Sequence, residues 1–237
     1  MISIRENDKP PLTHTPMIVD GGINETLNKY EVLSYLNCHS TNLLIGKPRS
    51  GKSSLLYSLF NSKHALKKTY HFIACFIPSS SRSSIKTDIF ENLPKDQQFD
   101  ELTIGNLASV YEMIKQLPKS QNKCLIFDDM SAYLKDAELQ KLFKEIVFNR
   151  RHNGISIYCL SQSFLAVPRE LRRVFSNLFI FKVPVDTMRT IFSELIEQKE
   201  DLVIPIMKEV YDKLFSFLFI NLDTQRMYKN WDEIILS

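Results

Sequence analysis

The chain of 237 residues contains only six glycines and four cysteines, and it has no long apolar run. The cysteines lie far apart and form no C-x-x-C pair, so we expect no zinc site or disulfide framework and favour a reducing compartment. No apolar run reaches the roughly 18 residues of a membrane-spanning helix, and the N-terminus lacks the apolar segment of a signal peptide. We therefore expect a soluble intracellular protein with no membrane span. Three cysteines lie in apolar runs that are typical of buried elements: Cys75, Cys124 and Cys159.

The chain also lacks a strong excess of either charge. Its formal net charge is +3, and 44% of its residues are hydrophobic and 24% charged. This composition is ordinary for a soluble globular protein, and the length allows one α/β domain with a sizeable core. A mildly basic chain can bind an anionic partner such as a nucleic acid, but the surface that does so must be local.

Two of the six glycines occur in one short motif. The run Gly46-Lys47-Pro48-Arg49-Ser50-Gly51-Lys52-Ser53 fits the phosphate-binding P-loop pattern G-x-x-x-x-G-K-[ST]. The apolar residues before it and the helix-compatible residues after it supply the strand–loop–helix context that the motif needs. The glycines let consecutive backbone N–H groups face phosphate oxygens, and the following helix adds its positive N-terminal end.

The motif predicts an ATP site with a bound Mg²⁺. We expect the backbone from Gly46 to Ser54 to surround the phosphates, with Lys52 reaching the β- and γ-phosphates. The hydroxyl of Ser53 would ligate the metal.

Apolar runs alternate with amphipathic segments through most of the chain. This alternation predicts an α/β fold with a mainly parallel sheet covered by helices on both faces. We expect an extended arm over residues 1–22, a nucleotide-binding core over 23–185, and C-terminal helices and a hairpin packed on it over 186–237. The predicted strands are 41–45, 70–77, 123–127, 155–160 and 177–183, with a hairpin of 217–222 and 227–231. The predicted helices are 24–37, 107–117, 136–149, 187–198 and 205–215.

A second acidic motif follows the strand predicted at 123–127. An apolar run leads directly into Asp128 and Asp129, as in a Walker B motif. Ligands of parallel α/β sheets bind at the carboxyl ends of the strands, so both acids would lie near the phosphates. Asp128 would hold Mg²⁺ directly or through water, and Asp129 would orient the attacking water or accept its proton. The alternative is a strand that merely ends in acids at a turn.

Gln162 follows the strand predicted at 155–160. If that strand lies between the P-loop strand and the strand that ends at Asp128, the amide emerges beside the γ-phosphate. There it could sense the phosphate or position water. The alternative is a glutamine that caps the following turn.

Two arginines, Arg150 and Arg151, lie between the helix predicted at 136–149 and Gly154. Basic residues at a helix C-terminus complement the helix dipole, and glycine is a common cap there. An arginine finger, supplied to a neighbouring subunit to stabilise transition-state charge, is the alternative. The spacing alone leaves both interpretations open.

With these motifs in place, the chain resembles the genome-packaging ATPases of large double-stranded DNA viruses, including those of poxviruses. They form the viral branch of the FtsK–HerA superfamily of P-loop ATPases. The resemblance extends from about Leu43 to Val183 and implies a RecA/ASCE-like fold. It rests on the P-loop, on Leu125–Asp129, on Phe148–His152, on Ile155–Gln162, and on Val167-Pro168.

The resemblance also implies a role for each motif residue. Lys52 and Ser53 match the Walker A lysine and hydroxyl, and Asp128 and Asp129 match the metal-associated and catalytic acids. Many members of the superfamily have glutamate at the position of Asp129. Gln162 matches the polar residue after the fourth strand. Arg151 matches the arginine finger, and Arg150 is the competing candidate for that role.

The resemblance implies an ATP-driven double-stranded DNA translocase that packages a viral genome into a preformed capsid. Such a motor is a ring, a pentamer or a hexamer, that hydrolyses ATP at its subunit interfaces, with capsid vertex proteins as further partners. It would act in the cytoplasm or viral factory of an infected host cell, or associated with the virion. It would grip the DNA backbone. Three groups of residues are candidate contacts. They are a serine-rich loop (Ser79–Ser84, with Arg82), a basic cluster (Arg169, Arg172 and Arg173) and a tail segment (with Arg226 and Lys229).

Other interpretations of the chain stay open. A cellular or plasmid DNA pump of the same superfamily would share the chemistry. A P-loop switch with little hydrolysis would have less need of a second acid, and a nucleoside or nucleotide kinase would need a lid, for which we find no clear segment. The basic clusters also fit a solvated face or salt bridges between subunits.

Overall fold

The computed structural model describes residues 2–6, 33–36, 39–62, 65–83 and 88–236. Their strands form one ten-stranded sheet. The strands are β1 Ile2–Arg5, β2 Thr41–Ile45, β3 Phe72–Phe76, β4 Gln98–Phe99, β5 Lys123–Asp128, β6 Ile155–Ser161, β7 Asn177–Phe181, β8 Phe217–Asn221, β9 Arg226–Lys229 and β10 Asp232–Leu236. The α-helices are α1 Leu33–Leu36, α2 Lys52–Asn61, α3 Ser79–Ser83, α4 Ile104–Gln116, α5 Ala137–Asn153, α6 Arg169–Arg172, α7 Val185–Leu195 and α8 Val203–Val210.

The strand order is β1-β10-β9-β8-β7-β2-β6-β5-β3-β4. From β7 to β4 every neighbouring pair is parallel, and the strands from β8 to β1 continue the sheet in antiparallel fashion. Strands β2, β6 and β7 are buried along their whole length, as continuous apolar runs predict for parallel strands covered on both faces. Strand β6 lies between β2 and β5, which is the arrangement that the interpretation of Gln162 required.

Helices cover both faces of the sheet. Alternate residues of a strand point to opposite faces, so Leu43 belongs to one hydrophobic cluster and Leu44 to the other. Helices α4, α5, α7 and α8 contribute to the cluster of Leu43, whereas α2 contributes to the cluster of Leu44. The predicted α/β architecture is therefore confirmed. None of the described helices combines the length and the apolar character needed to cross a membrane.

Helix α5 runs from the carboxyl edge of the parallel strands to their amino edge. The side chain of Asp136 caps its start by accepting a 2.8 Å hydrogen bond from the backbone N–H of Leu139. The helix ends at Asn153 and is followed by Gly154, whose φ of 66° is typical of a C-terminal cap. It therefore extends past the predicted end at Asn149, and its last turn contains Arg150 and Arg151.

Several predicted elements differ from the structure. The serine-rich segment predicted as a loop forms α3 over Ser79–Ser83, and Ser84 lies outside the described residues. The predicted C-terminal hairpin is present as β8 and β9, but two further strands, β10 and β1, extend it. Most of the predicted arm and of the helix at 24–37 lies outside the described residues. The division of the chain at residue 185 stays a prediction.

The interpretation of Arg172 as a DNA contact is wrong, because this residue is only 8% exposed. Its Nη1 atom donates to both carboxylate oxygens of Glu194 on α7, at 3.0 and 2.9 Å. Its Nε and Nη2 atoms donate to the backbone oxygens of Val167 and Leu165, at 2.8 and 3.1 Å. Arg172 thus joins α6 and the loop before it to α7, and it does not share an exposed face with Arg173.

Replacing Arg172 should destabilise the fold. Removal of one partner from a buried ion pair leaves the other charge without compensation, so we expect Arg172→Ala to lower the free energy of unfolding by about 3 kcal/mol or more. Urea denaturation followed by circular dichroism measures this change. The exposed neighbour provides the matched control, and Arg173→Ala should stay within about 0.5 kcal/mol of the wild type. Equal stabilities of the two variants would contradict the structural role of Arg172.

Candidate nucleotide-binding and hydrolysis site

The P-loop connects β2 to α2 at the carboxyl edge of the sheet, as predicted. The backbone N–H of Gly46 donates to the carbonyl of Ser161 at 3.2 Å, which fastens the start of the loop to β6. Gly51 has a φ of 107°, and a carbon added to it would lie 3.1 Å from the ring of Phe181. The backbone angle favours glycine because L-residues rarely adopt it, and the nearby ring leaves little room for a side chain. Helix α2 begins at Lys52, with its N-terminus at the loop.

Lys52 is buried, and its ammonium group folds back over the loop. The Nζ atom donates to the backbone oxygens of Gly46 and Lys47, at 2.6 and 3.1 Å. Burial lowers the pKa of Lys52, whereas the negative charges of Asp128 and Asp129 oppose this shift. The lysine, the loop and both acids therefore lie within one electrostatic neighbourhood, although the lysine and the acids are far apart in sequence.

The two acids have different environments. Burial raises the pKa of Asp128, and nearby Asp129 adds to this rise, whereas Lys52 and a hydrogen bond from the hydroxyl of Ser81 oppose it. Asp129 has a left-handed backbone with a φ of 52°, and its N–H donates to the carbonyl of Leu160 at 3.1 Å. The chain thus leaves β5 between the two acids.

Gln162 reaches the second acid directly. Its Nε2 atom donates to Oδ2 of Asp129 at 3.1 Å. The turn after β6 is instead held by Ser161, whose hydroxyl donates to the carbonyl of Ser163 and accepts from its N–H, at 2.8 and 3.3 Å. The alternative role of Gln162 as a turn cap is therefore filled by its neighbour.

Mg²⁺ suits the donor atoms at this site. This ion prefers oxygen ligands and binds through one or two protein groups, with phosphates and waters completing its shell. Ser53 in the first turn of α2 and the carboxylate of Asp128 are donors of that kind. Within the described residues no group of three or more histidines, cysteines or acids could hold a metal ion by itself. A metal here would therefore depend on the phosphates as well.

The structure separates the two candidate arginines. Arg150 bonds to its own chain, because its Nε and Nη1 atoms donate to the carbonyls of His39 and Val147 at 3.0 and 2.9 Å. The side chain of Arg151 is exposed and makes no hydrogen bond or ion pair with any other residue that the structure describes. Both lie at the amino edge of the sheet, since His39 precedes β2. The P-loop of the same chain lies at the opposite edge.

Ser81 belongs to the candidate site, although the sequence predicts only a DNA contact for its serine-rich segment. Its hydroxyl bonds to Asp128. The neighbouring Arg82 donates to Gln98 and forms an ion pair of 3.8 Å with Asp88. The position of this segment directly after β3 was the available signal, because β3 pairs with β5 and ends at the same edge. The segment lies against the candidate active site.

The remaining basic candidates lie elsewhere on the surface. Arg169 faces Glu194 at 3.7 Å, and Arg226 faces Glu233 at 3.9 Å. Lys229 pairs with Asp212 and Glu209, at 2.9 and 3.6 Å. Among these candidates Arg173 is exposed, and its side chain has no polar partner in the described part of the chain.

A sequence profile of the family described as Poxvirus A32 protein matches residues 29–221 of the chain. The chain belongs to this family. The match includes the P-loop, both acids, Gln162 and both arginines of α5. The resemblance to the genome-packaging ATPases of poxviruses is thereby confirmed. No curated protein sequence matches this A32-family chain significantly.

Solved structures share the fold of the A32-family chain. The genome packaging NTPase B204 of Sulfolobus turreted icosahedral virus 2, in complex with ATP-gammaS, has a TM-score of 0.58 and 15% identity, over 81% of this chain and 97% of that one. The same protein in complex with AMP has a TM-score of 0.57 and 16% identity, over 79% and 95%. ATPases 2 and 3 of EccC from Thermomonospora curvata have a TM-score of 0.50 and 13% identity, over 84% and 36%.

Substitution at Gly51 should disturb the loop. Alanine would pay the cost of a left-handed backbone and press against Phe181, so we expect Gly51→Ala to lower the free energy of unfolding by about 1–2 kcal/mol. A carbon added to Gly105 in α4 meets no atom within 4 Å. Gly105→Ala is the control and should raise that free energy by up to about 1 kcal/mol. Urea denaturation compares the two, and a stabilising Gly51→Ala would contradict the structure of the loop.

Proposed function

We propose that this chain is the ATPase subunit of a motor that translocates double-stranded DNA into a preformed viral capsid. The observation that carries the proposal is the convergence of Lys52, Asp128, Asp129 and Gln162 at the end of the P-loop strand. Membership of the A32 family supports the packaging role. B204, a genome packaging NTPase with the same fold, was solved with ATP-gammaS, which supports the choice of nucleotide.

The residues divide the work of hydrolysis. The backbone from Gly46 to Ser54 and the ammonium of Lys52 hold the phosphates. To do so, the lysine gives up its hydrogen bonds to the carbonyls of Gly46 and Lys47 and binds phosphate oxygens instead. Asp129 accepts the proton of the attacking water, and the amide of Gln162 holds that carboxylate in place. Ser53 and Asp128 would hold Mg²⁺, which neutralises phosphate charge when bound.

Arg151 completes the site of a neighbouring subunit. It lies at the amino edge of its own sheet and the phosphates lie at the carboxyl edge, at the other end of the 17-residue helix α5. A helix of this length spans about 25 Å, too far for one side chain to bridge. A free guanidinium at this position suits a partner's triphosphate, which it would reach in a ring. Arg150 is already bound to its own chain.

The motor holds DNA by its phosphates, independently of sequence. Arg173 is the strongest candidate contact because its charge is exposed and has no partner in the described part of the chain. Ser81 couples a further segment to hydrolysis, since it bonds to Asp128. The way in which the copies assemble decides which surface of the subunit ring contacts DNA.

Double-stranded DNA should stimulate ATP hydrolysis by this chain. Steady-state phosphate release with and without plasmid-length duplex measures the effect, and Asp129→Asn is the test of the chemistry. This variant should bind ATP as the wild type does but hydrolyse it about 10²- to 10⁴-fold more slowly, because it lacks the proton acceptor.

Each other outcome identifies a competing function. Near-normal turnover by Asp129→Asn would remove Asp129 from the catalytic role. Phosphate transfer that occurs only with an added nucleoside would indicate a kinase, and ATP binding without hydrolysis would indicate a switch. DNA that leaves the rate unchanged would contradict the motor.

Mixed assemblies should reveal whether Arg151 acts across an interface. Lys52→Ala subunits lack the phosphate ligand, and Arg151→Ala subunits lack the finger, so each alone should be nearly inactive. In a mixture, some interfaces combine an intact P-loop with an intact finger. We expect partial recovery of ATPase activity, which titration of one variant into the other measures.

The control for this experiment is a stability measurement. Arg151→Ala should unfold as the wild type does, because the side chain has no described partner within its chain. If assemblies verified to contain both variants recover no activity, Arg151 is not a finger acting in trans.

A further inference from the structure

A tight turn with two exposed apolar side chains joins α8 to β8. Leu214 is 86% exposed and Phe215 is 43% exposed. The N–H of Ser216 donates to the carbonyl of Lys213 at 3.4 Å, and Phe215 has a φ of 64°. Glycine is the usual residue at such a position in a turn, and a bulky side chain there is an outlier of the kind that clusters at functional sites.

The turn lies against the P-loop. A carbon added to Gly51 would lie 3.4 Å from the ring of Phe215, beside the ring of Phe181 at 3.1 Å. The hydroxyl of Tyr211 donates to the carbonyl of Ile180 at 2.8 Å, and Phe217 pairs with Phe181 across β8 and β7. Two attachments to β7, one on each side of the turn, therefore hold the turn that carries Phe215 at the carboxyl edge of the sheet.

The strand order indicates what the exposed ring faces. Strand β2 delivers the P-loop, and β6 and β7 flank it on opposite sides. Asp128, Asp129 and Gln162 lie on the β6 side, so the γ-phosphate of a bound nucleotide points that way. The opposite end of the nucleotide, its sugar and base, must then leave the loop on the β7 side, where Phe215 lies.

We propose that Phe215 is the stacking platform for the purine base of the nucleotide whose phosphates the P-loop holds. This rests on the proposed function in one respect, namely that the P-loop binds ATP. Aromatic rings stack on the face of any base, so the platform contributes affinity with little discrimination between adenine and guanine. The buried ring of Phe181 lies against Gly51 next to the ring of Phe215 and thereby supports this end of the loop.

The test compares a ligand that has a base with one that lacks it. Isothermal titration measures the affinities of Mg·ATP and Mg·tripolyphosphate for the wild type, Phe215→Ala and Phe215→Trp. Loss of one base–aromatic stack should weaken ATP binding by about fivefold or more in Phe215→Ala. Tripolyphosphate should bind both forms equally, and Phe215→Trp should retain ATP affinity while its fluorescence changes on binding.

Ile204 supplies a control from the preceding helix. It is 55% exposed, and Ile204→Ala removes a similar apolar surface without touching the turn, so both affinities should stay at the wild-type value. Thermal unfolding of each variant shows whether truncation has changed the fold.

Three results would overturn the proposal. Equal weakening of both ligands in Phe215→Ala would mean that the ring only supports the P-loop. Unchanged ATP affinity together with altered sedimentation would assign the turn to a contact between copies of the chain. A wild-type chain that binds neither ligand would refute the proposed function itself, and the platform with it. If tripolyphosphate binds, the P-loop holds phosphates, and the effect of Phe215→Ala on ATP then tests the platform alone.

Discussion

The position of β2 between β6 and β7 is the constraint on which the rest of the structure depends. Its register places Ile45 beside both Ser161 and Ile180, so the P-loop emerges with one neighbour on each side. The β6 side leads to Gln162 and the acids, and the β7 side leads to the aromatic rings near Gly51. A shift of one residue in this register would turn every buried side chain of β2 to the opposite face of the sheet.

The polarity of the parallel sheet divides the candidate machinery between two edges. Strands of one direction bring all their carboxyl ends together, so residues that follow β2, β5 and β6 meet although they are far apart in sequence. The helices that return the chain necessarily end at the other edge, where Arg151 lies free. Because the two edges of one subunit lie a helix length apart, an arginine there cannot reach the P-loop of its own chain. This geometry is the physical basis for proposing an assembly.

Local patterns predicted much of the fold, and pairings between distant segments account for the errors. Buried parallel strands are apolar throughout, so β2, β5, β6 and β7 are visible as runs in the sequence. The pairing of β1 with β10 joins Ile2 to Leu236, and no local pattern indicates it. The helix α3 was equally hidden, since serine favours turns and caps over helix interiors and here the segment is held next to Asp128.

The sequence by itself determined the phosphate loop, the paired acids and the alternation of strands and helices, because each is encoded by residues that are neighbours in the chain. Only the tertiary structure decided which of several similar arginines are free. Arg150 and Arg172 are held by carbonyls and a carboxylate that the fold brings to them, whereas Arg151 and Arg173 meet none in the described part of the chain. A guanidinium has the same chemistry everywhere, so the partners within its reach decide whether it stabilises the fold or remains available to a ligand.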